Sequence, residues 1–267
     1  MSAGELSIGD GGTTGSVTGN IVNNGSVRFD RSDAVTYAGV ISGSGALLKD
    51  GAGTLTLTSN STFTGSTDVV AGTLALSGAG GIGSSDIIAV EAGATLDVSA
   101  VTGGWQLGSG QTLTGDGTVV GPATGAVGST VTPGGASGTL TATGGFTLLG
   151  LLDIDVNGST ISLLDASAGG LTLGGSVSFT TLAAPTGNLV FAKYQSLAGT
   201  FGSIIGLPTG YAIDYAYLGN QIALVQSGPG GVPEIDPAGL GSIVALVAGA
   251  LGMLERRRAG RRPARRG

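Results

Sequence analysis

The two carboxylates of LLDIDV, residues 151–156, are the side chains whose spacing most directly suggests chemistry. Asp153 and Asp155 stand at i and i+2, which on an extended strand puts both on one face about 7 Å apart, a separation an acid and a base use around a glycosidic bond. The same alternation sends Leu152, Ile154 and Val156 to the opposite face, so the pair also reads as the solvated side of a half-buried strand. That second reading is favoured, because hydrolase and lyase sites of this kind add a His or a basic group. The chain has no His, and Arg28, Arg31, Lys49 and Lys193 are its only basic side chains before residue 255. Cys is absent as well. Together these absences remove the Ser/His/Asp and Cys/His nucleophile systems, the common zinc sites and any disulfide framework.

Weaker candidates are scattered along the chain. Asp10 in GDGG and Asp116 in GDGT look like fragments of calcium-binding turns, without the regular Gly and Asp spacing of a full repeat. Trp105, the only Trp, reads either as a platform for stacking a sugar or as a partly buried coil edge, with the edge favoured. Asn24, Asn60 and Asn157 begin glycosylation sequons that Ser- and Thr-rich sequence produces by chance. No cofactor is implied by any of these groups.

The elements that must carry these residues follow from composition and period. The chain is 41% hydrophobic and only 10% charged, with a mean hydropathy of +0.39 and 54 Gly in 267 residues. Disordered chains are poor in apolar residues and rich in charge, so short strands joined by Gly-rich turns fit better. Thr-Leu pairs recur at Thr54, Thr73, Thr95, Thr112 and Thr139, at intervals of 19, 22, 17 and 27 residues. Within a unit the period is two: Leu55 and Leu57 share one face while Thr54, Thr56 and Thr58 share the other. A unit near twenty residues suits one rung of a parallel β-helix, in which stacked coils bury an apolar column no single coil could bury.

Residues 47–76, LLKDGAGTLTLTSNSTFTGSTDVVAGTLAL, carry a specific pattern: Lys49, Gly51, Gly53, Thr54, Leu55, Thr56, Leu57, Asn60, Phe63, Thr64, Gly65, Gly72, Thr73 and Leu74. In these positions the stretch resembles the autotransporter-associated β-strand repeat. The resemblance implies an all-β, right-handed parallel β-helix over residues 1–226 of an exported protein, and it implies no reaction. Residues 110–121 and 132–148 look like the looser coils that follow the repeat, and 190–226 resembles the terminal strand region that would cap the stack.

The charge is divided. Residues 1–254 hold 4 basic and 16 acidic side chains, whereas 255–267 hold 7 Arg and one Glu. An acidic body with 4% aromatic residues would repel phosphate, so nucleic acid is excluded as a partner despite the basic end. Residues 227–237, SGPGGVPEIDP, form a Gly/Pro linker, and 238–254 run without a charge. As a helix those 17 residues would reach about 26 Å, the short end of what crosses a bilayer core, with Arg256, Arg257 and Arg258 snorkelling at the end. Small residues at Gly241, Ala245 and Gly249 would give such a helix a close-packing face or merely a mild span.

Motif, span and Arg cluster together resemble the PEP-type (PEP-CTERM) sorting signal read by exosortases. Val232, Pro233, Glu234 and Pro237 stand for the motif, with Ile235 replacing the usual second Pro, and Arg256, Arg257, Arg258, Arg261 and Arg262 for the basic stop signal. The resemblance implies an exosortase-like processing enzyme as partner and a transient membrane anchor through 238–254. It also implies an Arg-rich cytoplasmic tail at 255–267 and final delivery to the cell surface or beyond. MSAGELSIGDGG lacks the basic and apolar regions of an export signal, so the expectation is a chain truncated or started late at its N terminus, the alternative being a cytoplasmic tail-anchored protein. The reading is a non-catalytic surface or matrix protein of adhesion or envelope structure, whose Thr and Ser faces suit hydrogen bonding to an extracellular polysaccharide. The alternative is a β-helical polysaccharide-active enzyme, a hydrolase or lyase, anchored at the surface.

Overall fold

The computed structural model describes residues 4–227. Met1–Gln226 forms one compact unit, and the sorting motif, the apolar span and the Arg tail all lie outside the described residues. Among the described residues no helix is long and apolar enough to cross a membrane, and the one helical element is the 3₁₀ turn Gly135–Ser137.

Alternation of apolar and polar residues makes these segments strands, and Gly-rich corners keep them short. The result is a parallel β-solenoid. One sheet stacks ten strands in chain order, from Glu5–Ile8 through Ala46–Lys49, Thr112–Gly115 and Leu151–Asn157 to Ser203–Ile205, each parallel to the one before. At the strand spacing of about 4.8 Å this stack is roughly 45 Å deep. A second sheet runs beside it through Val35–Tyr37, Thr54–Leu57, Thr73–Gly78, Thr95–Val101, Thr118–Val120 and Thr139–Ala142 to Leu163–Leu173. A two-stranded sheet, Ile21–Val22 on Ile41–Ser42, closes a third side near the N-terminal end.

Register turns the alternation into a core. In the first sheet Val27, Leu47, Thr67, Ile88, Leu113, Val131, Leu152 and Val177 stand one above another as paired residues, and all are fully buried. In the second, Leu55, Leu74, Leu96 and Val119 do the same. Phe63, a single aromatic of the repeat, is completely enclosed. The one polar member of the first column, Thr67, donates to Ser85 Oγ at 3.0 Å, which in turn donates to the Gly65 carbonyl at 2.8 Å. A buried hydroxyl without such partners would cost stability.

The corners explain the repeat's glycines at two places. A Cβ on Gly65 would sit 2.6 Å from the backbone of Gly45, and one on Gly45 would sit 2.3 Å from the carbonyl of Gly25. Successive coils therefore touch backbone to backbone there. Gly72 turns the corner with φ of +66°, a conformation costly for residues bearing a side chain.

The structure adds two details to the sequence pattern. The Thr-Leu pairs do not all mark one face: Thr54, Thr73 and Thr95 pair in sequence on the second sheet, but Thr112 belongs to the first sheet, paired with Ile87 and Thr130. A full turn of the second sheet from Thr95 ends at Thr118, so Thr112 falls short of it and arrives one side early, on the first sheet. Thr95 pairs instead with Thr118, and Thr118 with Thr141 rather than Thr139. Trp105 follows the favoured edge reading rather than the platform, and is more deeply buried than that reading implied. It is 6% exposed and stands in a column with Ala123, Phe146 and Leu171.

In the second sheet parallel growth ends at Leu189–Ala198, which accepts Gln221–Gln226 as an antiparallel neighbour, followed by Tyr211–Tyr217. Phe179, Phe191, Phe201 and Tyr215 contact one another in series, with ring centroids 5.2, 6.3 and 6.0 Å apart. These large rings pack against one another at the C-terminal end of the described stack.

Candidate functional surfaces

The strand Leu151–Asn157 points Leu152, Ile154 and Val156 into the core, all completely buried, and leaves Asp153 and Asp155 half-buried on the outer face. Burial raises the Asp153 carboxyl above the ordinary carboxylate range, the charge of Asp155 adds to the rise, and a hydrogen bond from Ser178 opposes it. Ser178 is the residue paired with Asp153 on the next strand. Asp155 has its backbone N–H bonded to Ser162 Oγ at 3.0 Å, in the small hairpin that pairs Val156 with Ile161.

The basic side chains are engaged elsewhere. Arg28 donates through Nε to Asp50 at 2.8 Å and its Nη2 lies 3.0 Å from Asp30. Arg31 holds Asp33 at 2.8 and 2.7 Å, and its guanidinium pulls the Asp33 carboxyl below the usual carboxylate value. Lys193 lies 3.8 Å from Asp165. Among the described residues none of these pairs includes Asp153 or Asp155, the cationic side chains being engaged elsewhere. Among the described residues no three acidic side chains gather where a metal ion could sit, and Asp10 and Asp116 are both exposed on turns. Asn24, Asn60 and Asn157 are exposed.

Lys49 is the basic residue the sequence pattern singled out without a role. It faces inward between Phe29 and Val69 of the adjoining coils and is 2% exposed. Its Nζ donates to the Gly51 carbonyl of its own coil and, at 2.9 Å, to the Ala71 carbonyl of the next. Burial lowers its ammonium from the usual lysine value, partly offset by the charges of Asp50 and Asp30. The amine thus ties two stacked corners together from inside.

The outer face of the second sheet is uniform. Thr54, Thr73, Thr95, Thr118 and Thr141 form one continuous column of paired residues, each half-exposed. Beyond Thr141 the column continues with the ion-paired Asp165 and Lys193. Sequence reasoning found the first three of these threonines and missed Thr118 and Thr141, because coil length varies while register does not.

Fold and surface together define a class: a parallel β-solenoid with a closed apolar interior, an acidic exterior and ladders of small hydroxyl side chains. The family model described as Passenger-associated-transport-repeat matches residues 47–76, the same thirty residues in which Lys49, Phe63 and the corner glycines lie. Among curated proteins, the chain is similar to the Adhesin BmaC autotransporter of Brucella suis biovar 1 (strain 1330), 43% identical over 96 residues, which is 36% of this chain. The matched region spans 3% of that relative's length.

Proposed function

We infer that the chain is an adhesin-like passenger: a non-catalytic protein carried outside the cell, where its solenoid serves adhesion or the structure of the envelope or matrix. The observation that carries this reading is the 43% identity to a protein named as an autotransporter adhesin, joined to a transport-associated repeat at 47–76. An interior filled with side chains and, among the described residues, an exterior where the acidic side chains do not gather support it, since a solenoid of this kind offers surface rather than a cleft.

The finer part of the proposal is the route. Val232, Pro233, Glu234 and Pro237 would be read by an exosortase-like enzyme while 238–254 holds the chain in the membrane and Arg256, Arg257, Arg258, Arg261 and Arg262 stay cytoplasmic. Cleavage near the motif would release the solenoid to the surface or the surrounding matrix. The right hand of the solenoid belongs to the same set of expectations, drawn from the repeat resemblance. Intact mass of the protein recovered from its native host tests the route. A C terminus near 232–237 is expected, and a C terminus at Gly267 would overturn sorting by cleavage while leaving the adhesin reading in place.

A further inference from the structure

We propose that the threonine column of the second sheet is a binding track for an uncharged polysaccharide chain, laid along the stacking direction. This deepens the adhesin reading, on which it rests, by naming the surface and the chemistry of its partner.

The argument begins with register. Thr54, Thr73, Thr95, Thr118 and Thr141 occupy five successive rungs of one sheet, so their hydroxyls repeat at about 4.8 Å, the spacing of paired strands. An extended chain of linked pyranoses presents its own hydroxyls at a comparable interval. The hydroxyls are also unspent. Internal threonines and serines such as Thr67, Ser85 and Ser129 donate within the fold, whereas none of the five makes a side-chain hydrogen bond within the described residues. Each is therefore free to donate once and accept from a ligand.

Charge narrows the partner. Across five rungs the column carries no ionised group, and the parallel column beside it reads Thr56, Ala75, Asp97, Val120. Its one charge is the carboxylate of Asp97, which accepts from Ser99 N–H at 2.9 Å and Ser99 Oγ at 2.6 Å. Among residues 4–227 there are fourteen acidic and four basic side chains, and all four basic ones are already paired or buried. An anionic polymer would meet the Asp97 carboxylate at the middle of the track and the acidic excess of the body around it. A neutral one meets matching donors and acceptors with no ion to desolvate. The Asp165–Lys193 pair marks the end of the track, five rungs being the length of polymer it accommodates.

The test is affinity electrophoresis of the full chain through gels containing soluble mannan or hydroxyethyl cellulose as neutral probes and polygalacturonate as the anionic one. Three central hydroxyls are removed together by Thr73→Val, Thr95→Val and Thr118→Val, substitutions that keep a β-branched side chain in the sheet. Thr112→Val with Thr130→Val, on the first sheet, is the control. Retardation by a neutral probe is expected, about thirtyfold weaker in the triple variant at roughly threefold per lost hydroxyl, and unchanged in the control. Circular dichroism confirms that both variants fold. No retardation by either neutral probe, stronger retardation by polygalacturonate, or equal loss in triple variant and control would each overturn the track. New reducing ends appearing in the gel would instead overturn the non-catalytic reading itself, which separates the two failures.

Discussion

Replacing Lys49 by Met tests whether the solenoid is clamped from within at its corners. Met keeps the length and most of the apolar stem that packs between Phe29 and Val69 but cannot donate to the carbonyls of Gly51 and Ala71. Two buried acceptors lose their donor at roughly 1 kcal/mol each, giving a loss of about 2 kcal/mol. For a unit of this size that corresponds to a fall in Tm of about 4–8 °C. The pH dependence gives a second, independent sign. Burial lowers the Lys49 ammonium from 10.5, against the opposing charges of Asp50 and Asp30. Between the folded and unfolded values the unfolded chain binds more protons, so wild-type stability gains from rising pH in that window. The difference between wild type and K49M should therefore widen from neutral pH toward 10.5. Thermal and urea melts followed by far-UV circular dichroism measure both effects. A variant as stable as wild type, with a difference that stays flat through the alkaline range, would refute the clamp.

Two other outcomes follow from the same geometry. Leu74 is completely buried and its neighbour Thr73 half-exposed, so Leu74→Ala should cost about 3 kcal/mol and Thr73→Ala within about 0.5 kcal/mol in urea melts; equal costs would contradict the inward and outward alternation. Asp153 has its carboxyl pKa raised by burial and by Asp155, so the folded state binds the extra proton and stability falls as pH rises above 3.8. Asp153→Asn should accordingly raise the Tm near neutral pH and lose that advantage in acid, and a variant less stable at neutral pH would show that the carboxylate is held by contacts stronger than its desolvation.

The strands of this fold were readable because period two survives in every coil: Leu55 and Leu57, or Leu152, Ile154 and Val156, announce an inner face that the structure places in the core. The repeat at 47–76 was readable for a related reason, since its Lys and glycines are fixed by contacts between coils. Phase was not readable. Nothing local in Thr112 distinguishes it from Thr95, yet Thr95 returns to its own sheet only at Thr118, and Thr112 stands one side short of it, on the first sheet. The edge position of Trp105 was readable, but the column it joins was not, its neighbours Ala123 and Phe146 being remote in sequence. The inward turn of Lys49 could be seen only as a phase argument, Leu47 and Lys49 sharing a face two residues apart. The general preference for exposed lysine argued against following it. The carboxylates Asp153 and Asp155 landed on the outer face that alternation assigned them.

Attachment is the most direct measure of the central claim. Beads coated with the full chain, and with the Asp153→Asn, Asp155→Asn double variant, are allowed to settle on a bacterial polysaccharide matrix, and retention under flow is counted while reducing ends and unsaturated sugars are assayed in the effluent. Equal retention of both coated sets above bare beads, with no sugar released, is the expected result for a non-catalytic adhesive solenoid. Retention no better than bare beads, or sugar release that disappears in the double variant, would contradict it.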